Sequence, residues 1–204
     1  FIDDEKTVVL DTVDMSVAKV FYENVDYMLK GRPLDYVIVN HVEPDHSASF
    51  EDLIMRHPEA KVVGSKKTKQ MVKQYVTWDV DKFFIEIKEG DELCTGAHTL
   101  SFYMAPMVHW PEVMVTFEKT TGSLFSADAF GIFGAHDGNI FADAYDLSWS
   151  GYHPLANTTR LSSANTAALR RSCSARWEVS TSGGFAHCTD LSSARILRSI
   201  STLT

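Results

Sequence analysis

Short β-branched runs and amphipathic segments alternate along the first part of the chain. Runs typical of buried strands occur at residues 7–10, 36–39 and 61–64. Segments with a helical spacing of apolar side chains lie at residues 15–29, 51–55 and 68–75. In the first of these segments, the apolar positions are Val17, Val20, Phe21 and Val25. This order of segments predicts βα units with parallel strands.

Beyond residue 82 the pattern changes to strands. Strand-like segments occur at residues 83–87, 99–104, 113–117 and 123–127. Alternating units followed by a strand-rich half predict an α/β fold, an αββα sandwich in which two sheets pack face to face between outer helices. Functional residues of such folds gather where the strands end.

Composition narrows the class of protein further. The 204 residues suffice for one core, and no run of about 18 apolar residues could span a membrane. The opening residues 1–5 lack the basic and apolar regions of a signal peptide. The net charge of −8 argues against nucleic acid or an anionic membrane as partner. The cysteines (Cys94, Cys173 and Cys188) have neither zinc spacing nor a disulfide pattern, which favours a reducing cytoplasm, with Cys94 as a small buried residue.

The hexapeptide at positions 41–46 is dense in potential metal ligands. His41, Glu43, Asp45 and His46 directly follow the predicted strand at 36–39. Ligands with this spacing cannot share one helical face, but a turn can present the first pair to one ion and the second pair to another. The alternative is a solvated, charged turn with incidental histidines. We interpret the segment as a metal-binding loop, because burying such groups without a partner costs several kcal/mol.

Two further residues stand at the ends of predicted strands. His109 follows the apolar stretch 102–108, and Asp128 follows the run 123–127. Taken alone, each could be a hydrogen-bonded residue of the core or of a turn. Together with the loop they supply the additional ligands that two ions need, His109 as a terminal ligand and Asp128 as a bridging carboxylate.

These motifs resemble the metal domain of flavodiiron proteins, also called A-type flavoproteins. The similar segments are His-x-Glu-x-Asp-His at 41–46, His-Trp-Pro at 109–111 and Ser-Ala-Asp-Ala-Phe-Gly-x-Phe-Gly-Ala at 126–135. The resemblance covers about residues 1–147 and implies a metallo-β-lactamase-like domain with a non-haem di-iron centre. It assigns one iron to His41, Glu43 and His109, the other to Asp45 and His46, and Asp128 to both.

Glu43 separates two kinds of chemistry within this superfamily. Hydrolytic zinc members have His at that position, whereas a carboxylate favours harder ions and offsets ferric charge. The resemblance therefore implies an oxidoreductase that reduces O2 to water or NO to N2O. The alternatives are a di-zinc hydrolase, which Glu43 disfavours, and an inactive vestigial domain.

The resemblance also implies partners. In the family, FMN in a following flavodoxin-like domain passes electrons to the irons, usually across a head-to-tail homodimer. A rubredoxin or a flavin reductase would be the electron donor. The sequence contains no Gly-rich, phosphate-binding loop, so we expect the flavodoxin domain to be absent from this chain.

The two ends of the sequence depart from the family pattern. The chain opens without Met inside what resembles a β-hairpin, so we expect a domain that lacks its first strands and is incomplete at both ends. Residues 148–204 are rich in Ser, Thr and Arg and contain no Lys, which would suit a low-complexity tail. We interpret this segment instead as an out-of-frame translation.

A shift of reading frame explains three features of that segment together. In another frame, residues 156–159, 163–166 and 186–190 can encode Tyr-Tyr, Gly-Lys-Tyr and His-Gly-Pro, which flavodiiron proteins have in this order. The last iron ligand of the family, the His of His-Gly-Pro, would then fall at Cys188. We expect weakened binding of the second iron as a result.

Overall fold

Two β-sheets pack face to face in the computed structural model, which describes residues 1–129. The first sheet has the strand order β1-β2-β3-β4-β5, with β1 Ile2–Asp3, β2 Thr7–Leu10, β3 Tyr36–Ile38, β4 Lys61–Ser65 and β5 Phe84–Ile87. Strand β1 pairs antiparallel with β2, and the other neighbours are parallel, as the alternating pattern predicted. The second sheet is antiparallel throughout, with β6 Glu92–Cys94, β7 Thr99–Met104, β8 Met114–Glu118 and β9 Ser123–Phe125.

Helices connect the strands of the first sheet. A 3-10 turn at Met15–Val17 leads into α1 Ala18–Leu29, followed by α2 Pro44–Ser47, α3 Phe50–Arg56, α4 Lys66–Val72 and α5 Val80–Phe83. The carboxylate of Asp14 accepts a hydrogen bond from the Ser16 N–H and caps the 3-10 turn. Helix α1 ends where Lys30 adopts a left-handed backbone, with φ of 53°.

The buried face of α1 does not include every apolar residue of this helical segment. Ala18, Tyr22, Val25 and Leu29 are buried, a stripe that runs along one side of the helix. Val17 and Val20 are apolar as well, but they are 41% and 58% exposed. The buried residues from Ala18 to Leu29 are three or four positions apart, so they share the side of the helix that contacts the sheet. Val20 does not lie on that side and faces away from the sheet.

Alternation along the parallel strands separates two layers of core. Val37 of β3 packs into the cluster under the helices, whereas the adjacent Ile38 packs between the two sheets. Val62 and Val63 of β4 divide in the same way, and Phe102 meets Ile38 from the second sheet's side of this core. The first sheet is therefore buried on both faces, which explains its continuous apolar runs. The αββα fold predicted from the sequence is confirmed, and residues 1–129 supply a helical layer and both sheets.

Cys94 is exposed, contrary to the prediction that it is buried. It lies on β6, the edge strand of the second sheet, where Leu93 faces the core and the next side chain points the other way. Cys173, Cys188 and the expected out-of-frame segment 148–204 lie outside the described residues. Within the described part of the chain, the helices are too short and too polar to cross a lipid bilayer.

Candidate metal centre

The loop that follows β3 crosses the carboxyl edge of the first sheet and is held by Asp11. This residue directly follows β2 and has a left-handed backbone, with φ of 55°. Its Oδ1 accepts a hydrogen bond of 2.6 Å from the Asn40 N–H, and its own N–H donates to the Ile38 carbonyl at 2.8 Å. The adjacent parallel strands β2 and β3 thus fix the starting point of the segment that carries His41.

The second half of the hexapeptide forms a helical turn. Glu43 stands at the N-cap of α2 with an extended backbone, and Pro44 occupies the first turn, where a missing N–H costs nothing. The turn predicted for the hexapeptide is thus a single helical turn at Asp45 and His46, which lie on α2. His41 and Glu43 precede the helix, so the two pairs of side chains still diverge.

All six residues predicted from the sequence come together in space. They fall into two groups, His41 with Glu43, His109 and Asp128, and Asp45 with His46 and Asp128. Within each group the potential ligand atoms lie within 4.8 Å of one another. His109 comes from the turn between β7 and β8, and Asp128 follows β9, so both sheets contribute to the site.

Asp128 belongs to both groups and directs one oxygen toward each. Its Oδ2 lies 3.1 Å from His109 Nε2, and its Oδ1 lies 2.9 Å from His46 Nε2. Glu43 Oε2 lies 2.8 Å from His109 Nε2 and 3.1 Å from His41 Nε2. The side chains therefore surround two adjacent positions that share one carboxylate.

Two acidic residues that the sequence analysis missed hold the other ring nitrogens. His41 Nδ1 lies 2.7 Å from Glu112 Oε1, and His46 Nδ1 lies 3.4 Å from Asp11 Oδ2. Such contacts fix the tautomer and the ring orientation of a metal-binding histidine. Their positions gave a usable signal, because Asp11 directly follows a strand and Glu112 lies three residues after His109.

The histidines and carboxylates of the site lie close together and shift one another's pKa values. Burial opposes protonation of His41, but hydrogen bonds to Asp128 and Glu112 outweigh it and raise its pKa to about 9. Burial acts likewise on His46, whose bonds to Asp11 and Asp128 raise its pKa to about 10. Burial disfavours the charged form of Asp128, but these imidazoles hold its pKa far below the ordinary range. A metal cation would replace the protons that the carboxylates now hold on the rings.

The residues fit a pair of ions. Asp45 Oδ1 is buried and has no hydrogen-bond partner among the described residues. An unpaired buried carboxylate oxygen is costly, and a cation at the second position would pair with it. The donors are three imidazoles and three carboxylates, without thiolate, a set suited to iron, manganese or zinc.

Comparison with known proteins agrees with this geometry. Residues 1–170 match the family model described as ODP family beta lactamase. A putative diflavin flavoprotein A 1 from Nostoc sp. is 32% identical over 150 residues, which cover 71% of this chain and 26% of that protein. An anaerobic nitric oxide reductase flavorubredoxin from Aliivibrio fischeri is 34% identical over 134 residues, which cover 64% of this chain and 26% of that protein.

Solved structures give the same result. The crystal structure of the flavodiiron protein from Giardia intestinalis aligns with a TM-score of 0.66 and 30% identity, over 72% of this chain and 36% of that one. The chain thus spans about a quarter of the length of the two sequence relatives. The resemblance found in the motifs is confirmed: the chain belongs to the ODP family of β-lactamase-like domains, and its relatives include flavodiiron proteins.

Proposed function

We propose that this chain is the metal domain of a flavodiiron oxidoreductase and holds two non-haem irons. His41, Glu43 and His109 would form one position, Asp45 and His46 the other, and Asp128 would bridge them. The observation that carries this proposal is that the two carboxylate oxygens of Asp128 face different ligand groups. Its Oδ2 lies 3.1 Å from His109 Nε2, and its Oδ1 lies 2.9 Å from His46 Nε2. Glu43 in the first group favours iron over the zinc of hydrolytic relatives.

When bound, the irons would pass on electrons received from FMN and would offer open positions for the reduction of O2 to water or of NO to N2O. The protein supplies the environment for that chemistry. Glu43 and Asp128 place negative charge beside the metal positions and so favour the oxidised metal. The side chain of His41 is fully buried, whereas those of Glu43, His109 and Asp128 are each about one-third exposed. This exposed side offers a small gas a route to the centre.

The source of electrons is a further part of the proposal. The diflavin flavoprotein and flavodiiron relatives support a flavin, FMN, as the immediate donor. In the proposal, a flavodoxin-like domain carries this FMN and a head-to-tail homodimer brings it to the centre. The flavorubredoxin relative supports a rubredoxin as the protein that reduces the FMN, and a flavin reductase is the alternative. The exposed thiol of Cys94 is consistent with a reducing, cytoplasmic location.

A single-turnover experiment tests the proposal on this chain without FMN. The metal-free protein is loaded with ferrous iron under argon and mixed with a limited amount of O2 or NO. We expect bound iron, near-ultraviolet ligand-to-metal absorption after oxidation, and loss of O2 or release of N2O. Asp128→Asn should lose these signals, and Asp79→Asn, at the exposed N-cap of α5, should retain them.

The opposite result would favour the hydrolase alternative. Protein that retains zinc in preference to iron, reacts with neither gas and hydrolyses an ester substrate would refute the oxidoreductase. The expected weak binding at the second position has its own measure, the amount of iron retained per chain after purification without added metal. A content near two irons per chain would contradict the predicted loss of the last ligand.

A further inference from the structure

We infer that Glu112 is a positioning residue that makes the two metal positions unequal, so that the position of His41, Glu43 and His109 fills first. The inference rests on the proposed metal centre and adds a residue outside its six ligands. Glu112 touches no potential metal position itself and acts through His41. Its side chain is fully buried, as is that of His41.

One oxygen of Glu112 organises the ligand loop. Glu112 Oε1 lies 2.7 Å from His41 Nδ1 and accepts a second hydrogen bond of 3.1 Å from the Val42 N–H. With its proton on Nδ1, the His41 ring must present Nε2 to Glu43 and Asp128. The negative charge behind the ring also makes Nε2 a stronger donor toward a cation.

Glu112 is itself held from a separate part of the fold. Its main-chain carbonyl accepts hydrogen bonds from Ser65 Oγ at 3.4 Å and from Thr68 Oγ1 at 3.5 Å. Ser65 is the N-cap of α4, and its hydroxyl also accepts a bond from the Thr68 N–H. The main chain of Glu112 is therefore held by residues outside the ligand loop.

The corresponding contact at the second position is weaker. His46 Nδ1 lies 3.4 Å from Asp11 Oδ2, compared with 2.7 Å for the pair of His41 and Glu112. Asp11 Oδ2 also lies 3.5 Å from Asn40 Nδ2, and Asp11 Oδ1 accepts the 2.6 Å bond from the Asn40 N–H. Much of this carboxylate's hydrogen bonding thus serves the loop backbone, and its contact with the His46 ring is longer than the contact of Glu112 with the His41 ring.

Glu112→Gln isolates the charge of this residue. The amide oxygen can still accept from His41 and Val42, and the NH2 group takes the place of Oε2, which has no protein partner among the described residues. We expect metal-free wild type titrated with zinc against a chromophoric chelator to show two unequal affinities. Glu112→Gln should weaken the tighter one by about 10- to 100-fold and leave the weaker one within about threefold.

Two further measurements separate positioning from a structural role. Glu118→Gln neutralises another buried carboxylate, which bonds Thr120 and Thr121 away from the metal positions, so it should lower stability while leaving the zinc affinities in place. In nitrogen-15 spectra of the zinc-loaded wild type, we expect a hydrogen-bonded Nδ1–H on His41 whose proton signal moves upfield in Glu112→Gln.

Different results would refute the inference about Glu112 and the proposed metal centre. An unchanged tighter affinity in Glu112→Gln, equal weakening of both affinities, or equal weakening by Glu118→Gln would overturn the inference while leaving the metal centre intact. Failure of the wild type to bind zinc or iron at all would instead refute the proposed centre and the inference with it.

Discussion

Glu118, at the end of β8 and apart from the metal centre, stabilises the turn that leads into β9. Its Oε1 accepts a 2.7 Å hydrogen bond from the Thr120 N–H. Its Oε2 accepts a bond of 2.7 Å from the Thr121 N–H and another from the Thr121 hydroxyl. Burial disfavours the charged carboxylate, but these bonds outweigh it and lower the pKa from 4.5 to about 2.

The size of this contribution follows from the shift in pKa. Each pKa unit corresponds to about 1.4 kcal/mol, so ionised Glu118 stabilises the folded state by about 3 kcal/mol near neutral pH. The folded pKa lies below the unfolded one, so this stability is present above pH 4.5 and is lost as the pH falls toward about 2. Roughly 1.4 kcal/mol remains at about pH 3.

The test compares the wild type with Glu118→Gln by urea unfolding, followed by tryptophan fluorescence. We expect the variant to lose about 3 kcal/mol near neutral pH, and the difference to fall to about half at about pH 3. Glu92→Gln is the matched control, because Glu92 is half exposed and pairs with Lys119 at 2.6 Å on the surface. Its loss should stay below about 1 kcal/mol. A loss below about 1 kcal/mol in Glu118→Gln, or a loss that does not change with pH, would refute the stabilising role of the ionised Glu118 carboxylate.

Three other substitutions test the site and the core. Asp128→Asn removes the carboxylate that both ligand groups share, so calorimetry should show at least about tenfold weaker binding of both metals; loss of only one would argue against bridging. Glu43→His replaces a hard oxygen donor, so elemental analysis after growth with both metals should show a shift from iron to zinc; an unchanged ratio would contradict the selectivity argument. Phe102→Ala empties a fully buried position between the sheets and should cost about 3–5 kcal/mol in urea unfolding, whereas a loss below about 1 kcal/mol would mean that the two sheets repack.

The sequence predicted the strands well because their pattern is local. The run at 99–104 coincides with β7 Thr99–Met104, and the run at 61–64 falls within β4 Lys61–Ser65. The sequence does not show which face of α1 is buried. Several faces of that helix carry apolar residues, and only contact with the sheet selects the stripe that contains Tyr22 and Leu29.

The candidate site could also be predicted from the sequence only in part. The residue types at 41–46 and their place after a strand were sufficient to nominate four ligands, and strand ends suggested His109 and Asp128. Which acidic groups stand behind the histidines depends on contacts between segments that are far apart along the chain. Glu112 lies 71 positions from His41 along the chain, and Asp11 lies 35 positions from His46.

By itself, the sequence determined the order of strands and helices, the family and the chemical types of the six clustered side chains. These features depend on neighbouring residues and on local spacing. Tertiary structure alone decided that Glu112 stands behind His41, that Asp11 stands behind His46 and that Cys94 is exposed. Such contacts depend on how the two sheets and their connecting loops pack, because hydrogen bonds act over about 3 Å and distant segments must first be brought together.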